Sequence, residues 1–210
     1  MAYDFKKKQK ELYLPLRKPV IVTVPPMAYM AVRGEGDPNA EDGQYKASLE
    51  MLYGIAYTLK MSKKGTRKIE GYFDFVVPPP EGFWWQEDHG GVDFSRKDGF
   101  SWLSVMRLPD FVDDDDFAWA VAAASAKKGG DFSAVELLAV DEGLCVQCMH
   151  VGSYDDEPAT VDAMHAFAES EGYAPDFSED RRHHEIYLSD PRRTAPEKMR
   201  TVVRHPIRKI

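Results

Sequence analysis

His183-His184-Glu185-Ile186-Tyr187-Leu188-Ser189-Asp190 changes character at every second residue. In an extended strand successive side chains point to opposite faces. His184, Ile186 and Leu188 then share one face, and His183, Glu185, Tyr187 and Ser189 share the other. The first face suits a hydrophobic layer, while the second offers a carboxylate beside a phenol. In water that face carries no message. Against an aromatic-lined cavity, Glu185 becomes a carboxylate costly to hold ionised, and so suited to binding cations or moving protons.

The rest of the chain must supply that cavity. Its 210 residues suffice for a substantial core in one domain or two small ones. Hydrophobic residues at 43% and charged ones at 30% fit an ordinary globular protein. A net charge of −8 argues against a dedicated nucleic-acid binder and suits neutral or cationic small ligands. No apolar run approaches the length of a membrane span. The lysine-rich start, Met1 to Lys10, has no apolar segment behind it, so no secretory signal is read and a cytoplasmic location is expected.

Upstream of 183–190, residues 1–26 read as a lead-in, with Val20-Ile21-Val22 as a short edge strand stopped by Pro25-Pro26. A strand over Met27–Glu35 and a loop of turn formers through Asp42 and Gly43 come next. Then comes a helix from Gln44 to Met61, striped by Tyr45, Leu49, Leu52, Ala56 and Leu59. Tyr53 and Tyr57 stack four apart on its flank, as boundary packing or as a cavity wall. Lys68 to Val77 alternates as a strand, with Tyr72 and Asp74 on its polar face. Phe83-Trp84-Trp85 follows in a loop bounded by Pro78-Pro79-Pro80, either plugging a core end or lining a ligand site.

A polar loop covers 86–98, a strand Gly99–Leu108, and a helix about Asp114–Ala126. The acidic run 110–116 suits the positive end of that helix's dipole. Val135–Val140 and Leu144–Gly152 read as strands joined through Asp141-Glu142-Gly143 in a hairpin. Cys145 and Cys148 in the second would face opposite ways, unable to close a disulfide or share a metal. A helix begins near Pro158 and ends before Gly172. Loop 173–181 leads to the opening stretch, and a strand over Lys198–His205 closes the chain.

Strand, helix, strand, strand thus occurs twice, over 27–110 and 132–206. The expected architecture is α+β: one domain, 27–210, made of two pseudo-two-fold βαββ units around a central ligand cleft. Each half-sheet is expected to turn one face to its helix and the other to the cleft.

Tyr45–Met61, Tyr72–Trp85, Val146–Pro158 and His183–Thr194 together make the chain resemble stand-alone members of the GyrI-like small-molecule-binding superfamily. That resemblance implies the duplicated SHS2-type βαββ fold. Relatives fused to DNA-binding helices bind cationic, lipophilic compounds at a buried glutamate ringed by aromatics; no candidate helix-turn-helix precedes residue 27 here. Some stand-alone relatives are described as hydrolases of cyclopropanoid genotoxins. By this likeness Glu185 matches the pocket glutamate, Tyr187 its neighbour, and Trp84 and Trp85 the aromatic loop. Tyr53, Tyr57, Tyr72 and His183 complete the candidate ligand site.

Two uses stay open. Glu185 could act as general base in opening a cyclopropane ring, with Tyr187 assisting. It could instead stay charged and pair with a cationic ligand. A third reading, a protein-interaction module using the acidic run 113–116, has less behind it. No metal is expected: adjacent strand histidines such as His183 and His184 face apart. No cofactor motif is found, and the oligomeric state is not legible.

Overall fold

The computed structural model describes residues 2–40, 43–86, 92–93 and 96–210. Asp42 and much of the polar loop expected over 86–98 lie outside the described residues.

The chain is α+β, with most strands in one antiparallel sheet. Its strands are β1 (Val20–Val24), β2 (Met27–Glu35), β3 (Pro80–Trp85), β4 (Ser101–Arg107), β5 (Glu136–Val140), β6 (Gly143–Val151), β7 (Tyr173–Pro175), β8 (His183–Tyr187) and β9 (Arg200–Lys209). Its helices are α1 (Phe5–Lys8), α2 (Lys10–Tyr13), α3 (Gln44–Met61), α4 (Asp114–Lys128) and α5 (Glu157–Ser170). The strand order is β1-β6-β9-β8-β3-β4-β2-β5, with β7 on the end of β9. From the centre outward the order is β3-β4-β2 in one half and β8-β9-β6 in the other. In each half a helix joins the outermost strand to the innermost, which is the βαββ layout read twice in the sequence.

The two ends of the sheet are tied together. β1 pairs with β6 up to Val24↔Gly143, and β2 pairs with β5 from Met27↔Val140, so the register runs on unbroken across Pro25-Pro26. The expected hairpin at 141–143 is therefore corrected: β5 and β6 run on from one another and pair with β2 and β1. Gly143 adopts φ +60, and the Glu142 side chain is drawn inward by Arg204 and His184, so these turn formers bend the chain without reversing it.

A second correction concerns the first half. Residues 68–77 form no strand, apart from a single bridge between Tyr3 and Phe75. Gly71 turns the chain at φ +68, and the strand begins only at Pro80. The aromatic segment 83–85, expected as a loop, is the centre of the sheet: β3 pairs with both β4 and β8.

α3 spans the residues the periodicity marks and buries Leu52, Ile55, Ala56 and Leu59. The acidic run is structural. Asp113 caps α4 by accepting from the Asp116 amide at 2.8 Å, and Asp116 is buried against Arg67 at 2.6 Å. Cys145 packs in the main core and Cys148 against α5, on opposite faces of β6 and both free.

The sheet face away from the helices is closed, not open as expected. His184 bridges Glu81 and Glu142, each at 2.9 Å, and Arg204 holds Glu142 at 2.8 Å. All four are buried. The lead-in caps this network. Arg204 donates to the Leu12 carbonyl at 2.9 Å, Gln147 donates to the Glu11 carbonyl, and the Tyr13 phenol reaches Glu81 at 3.3 Å. Ionised groups taken from water require such mutual pairing. Burial alone would raise Glu142, but His184 and Arg204 hold it down at about 2.

Candidate functional site

With one face closed, the cleft opens on the other, between α3 and the start of α5. It measures about 1980 Å³. Its walls include Tyr45, Tyr53 and Tyr57 of α3, Trp84 of β3, and Tyr154 just before α5; Glu185 and Tyr187 of β8 lie at its base. Glu185 is 6% exposed.

β3 lies beside β8 with Gly82 opposite Glu185 and Trp84 opposite His183. Trp84 therefore shares the face of Glu185, and its indole folds back over Gly82. A Cβ at Gly82 would lie 2.5 Å from Trp84 Nε1 and 3.0 Å from the Tyr187 hydroxyl, so only glycine leaves room. Trp84 Nε1 donates to the Tyr187 oxygen at 2.9 Å. An indole nitrogen can only donate. The phenol oxygen is thus an acceptor in this bond, and the Tyr45 hydroxyl stands next to it as a hydrogen-bonding neighbour. Burial and then the charge of Glu185 push the Tyr187 phenol well above its ordinary range, so it stays protonated. Tyr45 packs against Trp84 at 5.1 Å, and Tyr154 stands edge-on to Tyr187 at 5.9 Å.

Behind Glu185 the sheet carries a second layer of titratable groups. His183 Nε2 lies 3.0 Å from Glu185 Oε1 and 3.3 Å from Glu157 Oε1. Burial would depress His183, but hydrogen bonds to Glu157 and Glu185 outweigh it and lift its pKa to about 9. Burial, then the charge of Glu185, pushes the Glu157 carboxyl up to about 7. Donor atoms of these three residues lie within 4.8 Å of one another, a spacing that could also surround a cation. Here the positive group between the two carboxylates is the His183 imidazolium.

Of the residues singled out in the sequence, Glu185, Tyr187, Trp84, Tyr53 and Tyr57 come together along the cleft, and His183 backs it. Tyr53 and Tyr57 stack with centroids 6.4 Å apart at the exposed rim. Two residues lie elsewhere. Trp85 follows Trp84 in a strand and so faces the other way, under the Arg182 guanidinium at 3.3 Å. Tyr72 lies beyond the Gly71 turn, where its hydroxyl donates to the Lys60 carbonyl at 2.8 Å. Asp74, its expected companion, pairs with Lys63 at 2.7 Å.

Sequence reasoning missed Gly82, Tyr154 and Glu157. Tyr154 and Glu157 stand just before and at the start of a recognisable helix, a place where side chains can point into a cleft. Nothing local marks Gly82.

One face of the sheet thus carries an aromatic, glutamate-bearing cleft of a size that suits a small molecule. The model of the GyrI-like small molecule binding domain matches residues 17–208, and the chain belongs to that family. Two solved structures from Listeria innocua are similar over nearly the whole chain. One, described as a hydrolase, is 46% identical with a TM-score of 0.89, covering 99% of this chain and all of its own. The other, described as an uncharacterized conserved protein, is 48% identical with a TM-score of 0.92 and the same coverage. The EcmrR C-terminal domain shares the fold at 10% identity and a TM-score of 0.53, over 92% of this chain and 98% of its own. No curated protein matches. Among the described residues no helix is long and apolar enough to cross a membrane.

Proposed function

We propose that the cleft takes up flat, lipophilic small molecules and opens a cyclopropane ring conjugated to a carbonyl, as in cyclopropanoid alkylators. Glu185 is the general base and Tyr187 the proton donor. The observation that carries this reading is the placement of Glu185, nearly dry at the base of an aromatic cleft on the same strand face as the Tyr187 phenol. Similarity to a protein described as a hydrolase adds to it.

In this reaction the oxygen of a water bonds to a ring carbon as Glu185 takes one of the water's protons. The carbon–carbon bond between the attacked carbon and the position next to the conjugated system breaks. Its electron pair runs to the carbonyl oxygen, where Tyr187 stabilises the charge and supplies a proton. The proton held by Glu185 then restores Tyr187, so the sum is addition of one water. Trp84, Tyr45 and Tyr154 hold the flat ligand, each aromatic contact adding roughly 0.5–1.5 kcal/mol beyond its buried area.

A second reading uses the same residues without turnover. A cation entering the cleft meets Glu185, with Glu157 and the shared His183 imidazolium behind it. The tyrosines at the rim would add cation–π attraction. Sub-stoichiometric protein mixed with a cyclopropanoid alkylator separates the two. Ring-opened product in excess of protein, reduced on the order of a hundredfold or more in Glu185→Gln, supports the hydrolase. Saturable binding with unchanged ligand supports the receptor.

A further inference from the structure

Three histidines from three different elements connect the back of the cleft to the outer side of α5. His183 Nε2 meets Glu185 Oε1 at 3.0 Å, and its Nδ1 meets His205 Nε2 at 2.6 Å. His205 Nδ1 then meets His165 Nε2 at 2.8 Å. His183 and His205 are each entered through one nitrogen and left through the other. His183 and His205 are buried, while His165 on α5 is only partly so and ends the chain toward solvent. His183 lies behind Glu185, outside the lining of the cleft, so a bound ligand would leave the row intact.

We propose that His183, His205 and His165 form a proton conduit that lets the Glu185 carboxyl exchange its proton with solvent while the cleft is filled. This rests on the reading of Glu185 as the group that carries a proton in the cleft. The proton that Glu185 gives up rests on the His183 imidazolium, whose Nδ1 proton passes to His205 Nε2, that of His205 to His165 Nε2, and that of His165 to water. One proton enters and one leaves. Each ring ends as the opposite tautomer, and a proton entering from solvent by the reverse path restores it.

The groups facing the row support that direction. Glu185 on β8 and Glu157 on α5 keep His183 cationic, and Tyr154 beside them is a phenol raised to about 12 by burial and these carboxylates. His205 is driven well below its ordinary range by burial and by His183 and His165. His165 is lowered by burial, against the pull of Asp162. Phe177 packs edge-on against both outer rings at 6.5 and 4.9 Å and adds no charge. Two neutral rings thus follow a charged one, which is the arrangement a hopping proton needs.

The test follows the ring N–H protons of His183 and His205 by NMR in histidine-labelled protein, with transfer of water saturation as the readout. Ethidium, a flat aromatic cation, fills the cleft, and its fluorescence reports occupancy. In the wild type, saturation is expected to reach both rings with ethidium bound. In His165→Gln, whose amide oxygen still accepts from His205 but cannot pass a proton on, transfer is expected to be lost at unchanged ethidium affinity and melting temperature. Transfer unchanged in His165→Gln, or lost in the wild type once the cleft is filled, overturns the conduit. Failure of ethidium to bind, or binding indifferent to Glu185→Gln, counts against the reading of the cleft. The His205 protons in the free protein then decide the conduit alone: exchange slowed in His165→Gln supports it, and unchanged exchange overturns it.

Discussion

Gly82 shows how much of a binding site can depend on a side chain that is not there. Trp84 reaches the Tyr187 oxygen only by lying across the backbone at this position, and a methyl group would press into the indole at 2.5 Å. Overpacking of this kind costs about 1–3 kcal/mol. Gly82→Ala is expected to lower unfolding free energy by that amount and to weaken uptake of a flat aromatic dye, since Trp84 must leave its place. Denaturant unfolding and a fluorescence titration measure the two. A variant with wild-type affinity would show that the indole does not shape the cleft. Tyr187→Phe tests the neighbouring claim: turnover is expected to drop on the order of a hundredfold while dye affinity changes little. At this scale the sequence was informative about Glu185 and Tyr187, because alternation along a strand assigns faces directly. It was silent about Gly82, whose importance comes from a fold-back of Trp84 that no spacing encodes.

The elements were legible where one periodicity acts alone. α3 has an apolar stripe and a single buried face, so its ends could be read from Gln44 and Met61. Residues 68–77 show the opposite case. Their alternation is real, but Gly71 turns the chain and the triple proline ends the segment, while the true strand hides behind Pro80 as an aromatic run. Both faces of β3 are buried, and a doubly buried strand shows no alternation to read. The same holds for β8, whose His184 face reads in the sequence as a hydrophobic layer but enters an ion network. Nor could local sequence reveal that the lead-in caps this network, since the partners lie far apart along the chain. That cap carries its own prediction. Arg204→Met would leave the buried Glu142 carboxylate with His184 alone and free the Leu12 carbonyl. A loss of about 3–5 kcal/mol in unfolding free energy is expected. Adding Glu142→Gln should restore part of it, and a double variant no more stable than Arg204→Met would show that the pairing is not what matters.

Across the molecule, the two faces of the central strands divide the titratable groups by task, and pH should separate them. On the closed face, Glu142 is held at about 2, below the carboxylate value of 4.5, so its contribution is present above 4.5 and is lost only as pH falls through 2. On the cleft face the sign reverses. His183 titrates near 9 in the fold against 6.5 when unfolded, so its contribution is complete below 6.5 and is lost as pH rises through 9. Glu157, raised from 4.5 to about 7, acts in the same direction over the window 4.5 to 7. His205 and His165, both lowered, oppose this and lose their share as pH falls below 6.5. Unfolding free energy should therefore decline by a few kcal/mol between pH 6.5 and 9, as denaturant curves at stepped pH would show. Glu157→Gln removes one of the two partners that keep His183 charged, so its decline should be smaller and end at lower pH. A wild-type profile that stays flat across that window would mean that no proton is held between the two carboxylates. The cleft would then have lost the charge pattern on which both uses of Glu185 depend.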